Sequence, residues 1–225
     1  MNSVQIAPTI QCADQLNLAA DIEELVKGGA DIIHADVMDG VFVPNLAISF
    51  DTVRAVKKRF QIPVDVHLML KDPGLYIETA IGTGADWISF HIEAAAAPLR
   101  LLRQIRESGR KAGIVLNPST PVTSVRHLLQ YAGYVQLMAV EPGFPGQCFL
   151  PFTYEKVSEL AYERDKHEYS FQIMIDGGIN RVNGAECIRR GADILVAGAL
   201  CIFGEGHDLC RETACFAKEM KELRK

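Results

Sequence analysis

Apolar and polar residues alternate along the chain in blocks that predict eight strands, each followed by a helix. Short runs rich in Val, Ile and Leu are typical of strands buried on both faces of a parallel sheet. They predict strands at 4–9, 31–37, 63–69, 86–91, 111–117, 133–140, 170–176 and 193–197. Segments with apolar residues three or four positions apart predict helices at 15–28, 49–60, 72–83, 95–109, 121–130, 152–167, 180–190 and 206–223.

A short repeat marks the joins between helices and strands. VKGGADII at 26–33, GTGADWIS at 82–89 and RRGADILV at 189–196 each pass through Gly-Ala-Asp into an apolar run. Glycine suits the C-terminal end of a helix, and the apolar run suits a buried strand. The eight alternations and the absence of a Ser/Gly-rich linker predict an α/β protein, a single-domain (β/α)8 TIM barrel covering residues 1–225.

Composition and charge narrow the functional classes. The chain is 48% hydrophobic, carries a formal net charge of −5 and contains six scattered cysteines without a C-x-x-C pair. An acidic chain has no general affinity for nucleic acid or anionic membranes, so we expect neither as a partner. No signal peptide pattern occurs, and no apolar run reaches the roughly 18 residues of a membrane span. We therefore expect a cytoplasmic protein with free thiols.

Polar residues collect where the predicted strands end. In a TIM barrel the active site lies at the C-terminal ends of the strands. The segments there read APT (7–9), HADVMDG (34–40), DVHLM (65–69), FHIE (90–93), LNPST (116–120), VEPGFPGQ (140–147), IDGGIN (175–180) and VAGAL (196–200). We expect these segments to form the functional face.

Two histidines and two aspartates in these segments predict a metal site. His34 and Asp36 are two positions apart and project from the same face of a strand, while His67 and Asp176 end two other strands. Imidazole and carboxylate together suit one divalent ion such as Zn²⁺, Fe²⁺, Mn²⁺ or Co²⁺, with Zn²⁺ or Fe²⁺ favoured, better than Ca²⁺ or Mg²⁺. Alternatively, the histidines are hydrogen-bonded structural residues and Asp176 is a turn residue.

Glycines after the last two predicted strands indicate a phosphate site. In many TIM barrels these loops bind phosphate through backbone N–H groups, and Gly177, Gly178 and Gly198 would let an anion approach closely. The alternative is that they are ordinary turn residues. Gly143 and Gly146 would give the loop after the sixth predicted strand the flexibility of a lid. Here too the alternative is that the glycines are ordinary turn residues.

The motifs IAPTI, HADVMDGVFVPN, DVHLM, VEPGFPGQ and IDGGIN follow one another along nearly the whole chain. In this order they resemble the ribulose-phosphate 3-epimerase family, and HADVMDG with DVHLM is specific to it. The resemblance implies a metal-dependent isomerase that inverts C3 of a phosphorylated ketose. It also implies a homodimer or a larger symmetric homo-oligomer, which is the common outcome for soluble enzymes.

The resemblance assigns roles to individual residues. It implies that His34, Asp36, His67 and Asp176 bind the metal and that Asp36 and Asp176 are the two catalytic proton-transfer residues. Inversion needs one acid/base group on each face of an enediolate, which agrees with this assignment. The metal would polarise the C2 carbonyl. Asp65 shares a strand face with His67, so we expect it either to orient that histidine or to serve a turn or salt bridge.

The resemblance also implies a set of substrate-binding residues. Methionine thioethers are expected over the sugar, with core packing as the alternative for Met138. The full set comprises Thr9, Met38, His67, Met69, Met138, Gly143, Phe144, Pro145, Gly146, Gly177, Gly178, Gly198 and Ala199.

Four positions at or just after the ends of the first and the last predicted strand depart from the family pattern. Thr9 stands where serine is usual but keeps the hydroxyl, and Gln11 and Cys12 replace a more usual Leu-Ser. Ala199 follows Gly198 where a serine is common, so this position has no hydroxyl to donate to phosphate.

The loop VEPGFPGQ departs from the commoner VNPGFGGQ through Glu141 and Pro145. An acid at 141 resembles the allulose-6-phosphate 3-epimerases of the same superfamily. The resemblance implies D-ribulose 5-phosphate and D-xylulose 5-phosphate as the expected substrate pair, because they are the commoner pair in the family, and Glu141 makes allulose 6-phosphate and fructose 6-phosphate the alternative.

Two other functional classes stay open. A phosphosugar lyase or decarboxylase on this fold would be expected to place a lysine at a strand end. No lysine lies in the strand-end segments, and Lys71 and Lys111 are the nearest ones. A noncatalytic phosphosugar-binding barrel would need neither metal nor paired aspartates in its pocket.

Overall fold

The computed structural model describes residues 3–204 and 206–224, in which eight parallel strands form a nearly closed barrel. Neighbouring strands pair from β2 to β8, and β8 pairs with β1. Between β1 and β2 the contacts are an isolated bridge from Thr9 to His34, two N–H groups that donate to Ile6 O, and side-chain hydrogen bonds that include Ile6 N–H to Asp31. The strands are β1 (Gln5–Pro8), β2 (Ile33–Met38), β3 (Val64–Met69), β4 (Trp87–His91), β5 (Lys111–Leu116), β6 (Tyr134–Met138), β7 (Gln172–Asp176) and β8 (Ile194–Ala197).

Seven α-helices lie in the described ranges and follow strands along the chain. They are α1 (Leu18–Lys27), α2 (Phe50–Arg59), α3 (Ile77–Gly82), α4 (Pro98–Glu107), α5 (Thr153–Lys166), α6 (Arg181–Arg189) and α7 (Leu209–Glu222). The barrel predicted from the sequence is confirmed, and the elements lie close to their predicted positions. The predicted helix at 72–83 is divided into a 3₁₀ turn, Pro73–Leu75, and α3.

The prediction of a helix at 121–130 is wrong, because that segment forms two 3₁₀ turns, Val122–Val125 and Leu129–Tyr131. β-Branched residues lose side-chain freedom in an α-helix, and this segment contains three of them in the first turn. Val122 and Val125 are both buried, and a spacing of three places them on one face of a 3₁₀ turn.

Alternation along the strands separates the outer core from the barrel interior. On β2, Ile33, Ala35 and Val37 belong to the large apolar core that packs beneath the helices. His34 and Asp36 occupy the intervening positions and therefore point into the barrel. Lower in the interior an apolar cluster including Tyr134, Met174 and Ile194 fills the space. The polar residues thus lie above an apolar floor.

The cysteines and the helices bear on two expectations drawn from the composition. All six cysteines are free. Among the residues that the structure describes, no helix is both long enough and apolar enough to pass through a membrane.

A glycine on β5 makes room for a tyrosine that crosses the barrel interior. A Cβ atom at Gly113 would lie 2.3 Å from Tyr134 Cζ and 2.7 Å from Ser89 Cβ. The Tyr134 hydroxyl donates a hydrogen bond to Asp65 on β3. The missing side chain at 113 therefore lets an aromatic ring from β6 reach a carboxylate two strands beyond β5.

We expect Gly113→Ala to lower the free energy of unfolding by about 1–3 kcal/mol, because the added methyl group overpacks a filled interior. The matched control is Gly82→Ala at the end of α3, where a Cβ would have no neighbour within 4 Å. We expect that control to be neutral or stabilising by about 0.4–1 kcal/mol. Urea unfolding measures both, and equal stabilities of the two variants would contradict the packing role of Gly113.

Candidate active site and metal centre

The four residues predicted to bind a metal meet inside the barrel mouth, where one potential ligand atom from each lies within 4.8 Å of the others. His34 Nε2 lies 3.2 Å from Asp36 Oδ1 and 3.5 Å from Asp176 Oδ2. His67 Nδ1 lies 3.0 Å and 3.6 Å from the same two oxygen atoms. In a tetrahedral shell with bonds of about 2.0–2.1 Å, adjacent donor atoms are about 3.3 Å apart. These four spacings therefore fit a single divalent ion.

The electrostatics of the site also favour a cation. Burial alone would lower the pKa of His34, but the charge of Asp36 and hydrogen bonds to Asp176, Asp36 and Asp65 outweigh it and raise that pKa well above its usual value. Burial alone would raise the pKa of Asp36, but His34 and His67 outweigh it and hold that pKa well below its usual range. Carboxylates this deeply buried need positive charge nearby, and a divalent ion would supply it.

Asp65 contacts His34 and not His67, so of the two roles that the sequence left open, orienting His67 or serving a turn or salt bridge, the structure shows a pairing with the other histidine. Asp65 Oδ2 lies 2.8 Å from His34 Nδ1, and its other oxygen accepts from the Tyr134 hydroxyl. The register of β2 and β3 explains the difference, because it places His34 beside Asp65 and Asp36 beside His67. Burial and the charge of Asp65 raise the pKa of Tyr134 well above its usual value, so the phenol remains a donor.

Neutral side chains and a third histidine also contact the cluster. The Thr9 hydroxyl donates to Asp36 Oδ2 at 2.7 Å. Gln136 Nε2 donates to Asp176 Oδ2 at 2.9 Å and lies 3.1 Å from His67 Nδ1. Behind the cluster, His67 Nε2 lies 2.8 Å from His91 Nε2. Each carboxylate is therefore held by a neutral donor as well as by the histidines.

Tyr134 and Gln136 lie outside the segments expected to form the functional face, and His91 lies in one of them, FHIE, without having been assigned a role. A signal for them was present, because a period of two runs through β6 from Tyr134 to Gln136 and Met138 and through β4 from Ser89 to His91. Positions on one face of a barrel strand share the interior. These three side chains are polar residues at inward positions of β4 and β6.

A cleft opens above the cluster at the C-terminal ends of the strands. Asp36 and Asp176 line it, while His34 and His67 are fully buried behind them. Met38 is also buried and packs with Met69 and Val43. The residues of the predicted substrate-binding set that line the cleft are Thr9, Met69, Met138, Gly143, Phe144, Pro145, Gly146, Gly177, Gly178, Gly198 and Ala199.

Two residues that depart from the family pattern, Gln11 and Cys12, also line the cleft. The Gln11 amide lies 3.8 Å from Met38 Sδ. Burial raises the pKa of the Cys12 thiol to about 11, so this thiol stays protonated at neutral pH. Both side chains therefore offer the cleft neutral polar groups.

The glycines after β7 have a packing role. Gly177 and Gly178 have φ values of 107° and 64°, which favour glycine. A Cβ at Gly178 would lie 2.6 Å from Phe149 N, and one at Gly177 would lie 2.5 Å from Val140 Cγ2. Glycine at both positions therefore lets the loop after β7 pack closely against the loop after β6.

Comparison with known proteins places the chain among curated relatives over most of its length. Residues 5–203 match the model of the Ribulose-phosphate 3 epimerase family. The chain is 44% identical over 199 residues to "Ribulose-phosphate 3-epimerase" of Aquifex aeolicus (strain VF5), covering 88% of this chain and 89% of that protein. It is 42% identical over 203 residues to the protein of the same name from Bacillus subtilis (strain 168), covering 90% and 93%.

Solved structures with the same fold share little sequence with the chain. Thiamine phosphate pyrophosphorylase from Pyrococcus furiosus superposes with a TM-score of 0.67 at 14% identity, covering 99% of this chain and 98% of that chain. N-(5'-phosphoribosyl)anthranilate isomerase from the same organism gives 0.67 at 15% identity, covering 97% and 99%. At these identities the likeness supports the barrel fold alone.

We expect Asp65→Asn to weaken binding of Zn²⁺ by about 10–100-fold, because the amide removes the negative charge behind His34 while keeping its shape. Competition with a chromophoric chelator measures the dissociation constant of the metal-free protein for zinc. The matched control is Asp51→Asn, whose side chain is 89% exposed on α2 and which we expect to bind zinc like the wild type. Unchanged affinity in Asp65→Asn would show that this carboxylate does not support the ligand.

Proposed function

The chain belongs to the ribulose-phosphate 3-epimerase family, and we propose that it is an isomerase that interconverts D-ribulose 5-phosphate and D-xylulose 5-phosphate by inverting C3. The observation that carries the proposal is the buried set of two histidines and two aspartates, of which only Asp36 and Asp176 line the cleft. The two curated relatives described above carry the name of this activity. We propose that the whole chain is one epimerase domain and that it forms a symmetric homo-oligomer.

Proton transfer is assigned to Asp36 and Asp176. Asp36 lies on β2 and Asp176 is the last residue of β7, so the two carboxylates reach the cleft from different sides of the barrel mouth. One carboxylate removes the proton from C3 and becomes a carboxylic acid, leaving a planar enediolate. The other, starting as the acid, delivers its proton to the opposite face of C3 and becomes a carboxylate. The reverse reaction exchanges the two roles.

In the metal-free protein Asp36 is in the carboxylate form, which is the form that accepts a proton. Its pKa lies well below the usual range because His34 and His67 outweigh the effect of burial, so the group is ionised. Thr9 fixes one of its oxygens by a hydrogen bond of 2.7 Å. Gln136 fixes an oxygen of Asp176 in the same way at 2.9 Å. Restricting both carboxylates to one orientation reduces the reorganisation that proton transfer requires.

His34, Asp36, His67 and Asp176 would hold one divalent ion, for which the mixed nitrogen and oxygen donors suit Zn²⁺, Fe²⁺, Mn²⁺ or Co²⁺, with Zn²⁺ or Fe²⁺ favoured. When bound, the ion supplies Lewis-acid stabilisation for negative charge that develops on the oxygen at C2.

Methionines are suited to keeping water away from the reacting carbons. Met69 and Met138 line the cleft, and Met138 lies beside Asp176 in the register of β6 and β7. Their thioethers are apolar and adaptable, so they would shield an enediolate while tolerating motion of the sugar. Met38 pairs with Met69 in the register of β2 and β3 and would support it through packing.

Backbone N–H groups are assigned to the phosphate. Among the described residues, the cleft wall contains no lysine or arginine. The wall does contain Gly177, Gly178, Gly198 and Ala199, whose backbone is open to close approach. The first N–H groups of α6 already bond to the Asn180 side chain, so the loop before α6 would supply the donors. The methyl group of Ala199 leaves this part of the site to backbone donors.

The runner-up substrate pair is allulose 6-phosphate and fructose 6-phosphate. Its support is Glu141, an exposed acid in the loop that covers the cleft, followed by Pro145 in the cleft wall. The interpretation as a phosphosugar lyase or decarboxylase has less support, because Lys111 begins β5 at the opposite end of the barrel from the cleft.

Turnover of the two substrate pairs by the purified protein tests the proposed function. We expect kcat/KM to be about 10-fold or more higher for the pentulose phosphates, because the extra CHOH group of a hexulose must find room in the same pocket. A preference for the hexulose phosphates would establish the runner-up. Binding of a pentulose phosphate without turnover of either pair would favour a noncatalytic barrel.

Chelation to a metal-free state should abolish activity, and full activity of metal-free protein would contradict the metal-dependent proposal.

Hydrogen exchange in D₂O tests the assignment of two proton-transfer residues. We expect Asp176→Asn to exchange the C3 hydrogen of one epimer without forming the other, and Asp36→Asn to show the opposite preference. Asparagine keeps the side-chain shape but cannot accept the proton. Metal content is measured in parallel, since both residues belong to the ligand set. Exchange of both epimers by a single variant would mean that one base serves both faces.

A further inference from the structure

We propose that His91 and Glu93 are positioning residues that hold His67 in the tautomer whose Nδ1 lone pair faces the metal site. The inference rests on the proposed metal function of His67. Its basis is a line of side chains behind the site, in which His67 Nε2 lies 2.8 Å from His91 Nε2 and His91 Nδ1 lies 3.3 Å from Glu93 Oε2.

The orientation of the His67 ring determines where its proton must lie. Nδ1 faces the carboxylates of Asp36 and Asp176. A histidine that binds a metal through Nδ1 presents a lone pair there and carries its proton on Nε2. Because His67 is fully buried, that Nε2–H group needs a protein acceptor. His91 Nε2 occupies the required position.

His91 can accept this hydrogen bond only as a neutral ring. His91 has no exposed surface, and burial of this kind disfavours a charged ring. A neutral His91 that accepts at Nε2 carries its one proton on Nδ1. The ring is held in place between His67, with centroids 4.9 Å apart, and Phe42, with centroids 4.6 Å apart.

Glu93 is anchored so that one oxygen remains for His91. Its Oε1 accepts hydrogen bonds from the Thr120 hydroxyl and from the Asn117 N–H group, the latter at 2.8 Å. Burial raises the pKa of Glu93, but the hydrogen bonds from His91, Thr120 and Asn117 outweigh it and lower the pKa. Glu93 is therefore ionised and can act only as an acceptor. Its Oε2 is the oxygen nearest to His91 Nδ1.

The charge of Glu93 selects one direction for the whole chain of hydrogen bonds. If His67 carried its proton on Nδ1, His91 would have to donate from Nε2 and present the lone pair of Nδ1 to an ionised oxygen of Glu93. That arrangement places two acceptors against each other in a buried site, which is costly. In the other direction, His67 donates to His91, and the Nδ1–H group of His91 faces the charged Oε2 of Glu93 at 3.3 Å, a contact that is not aligned as a hydrogen bond in this structure but sets no two acceptors against each other.

The two histidines of the metal site are thus supported differently. Asp65 contacts Nδ1 of His34 directly, whereas a carboxylate reaches His67 only through the intervening ring of His91. The position of Glu93 at the end of β4 and its anchoring by the loop after β5 explain why a buried histidine is needed between them.

Metal affinity of variants at 91 and 93 tests the proposal independently of activity. We expect His91→Phe, which keeps an aromatic ring without an acceptor, to weaken Zn²⁺ binding by about 10–100-fold. His91→Gln should recover most of the affinity, because its amide oxygen can accept from His67. Glu93→Gln should weaken binding by about 10-fold, since it keeps the shape and loses the charge. His127→Gln and Glu107→Gln are matched controls at exposed positions and should bind zinc like the wild type.

A spectroscopic measurement checks the tautomers in the unmutated protein. We expect ¹⁵N spectra of zinc-loaded protein with labelled histidine to show a proton on Nε2 of His67 and on Nδ1 of His91. A purely structural role for His91 would change stability and leave zinc affinity unchanged, which overturns the proposal, as does a proton on Nε2 of His91. If a variant fails to fold, the spectrum of the wild type decides. Absence of zinc binding in the wild type would overturn the proposed metal site together with this inference.

Discussion

Negative charge buried inside the barrel is the constraint on which the rest of this structure depends. Asp36 and Asp65 are almost fully buried, and Asp176 is only 9% exposed. Ionised carboxylates lose most of their hydration in such a place, so positive charge and hydrogen bonds must replace it. Two histidines, a threonine, a tyrosine and a glutamine provide these contacts, and the donor set that results is the one a divalent ion requires.

The architecture satisfies this constraint by separating apolar and polar residues along each strand. Outward positions on the strands pack against the helices, and inward positions form an apolar floor with a polar layer above it. The absence of a side chain at Gly113 is part of the same arrangement, because it allows Tyr134 to reach Asp65. Helices and loops outside the barrel therefore support the site through the positions of the strands.

The site has two levels with different chemistry. The histidines lie below, away from the cleft, where burial fixes their orientation, while the two carboxylates lie at the cleft wall where a substrate would meet them. The upper level is otherwise neutral, formed by methionines, glycines and small polar side chains. Such a wall concentrates the ionic chemistry on the proposed acid/base pair, and under the proposed function it would leave recognition of a phosphate to backbone groups of close-packed loops.

The sequence by itself determined the barrel and most of the polar residues at its mouth. Periodicity is a local property, so the apolar runs predicted the strands, and the spacing of His34 and Asp36 placed them on one face. Tertiary structure decided the partners. The register of β2 and β3 gave Asp65 to His34, and the closure of the sheet brought Asp176 on β7 to the residues of β2 and β3. Contacts between distant strands depend on register and side-chain direction, which no local pattern contains. Alternation along β4 and β6 puts Tyr134, Gln136 and His91 on inward positions, but only the fold decided that they contact Asp65, Asp176 and His67.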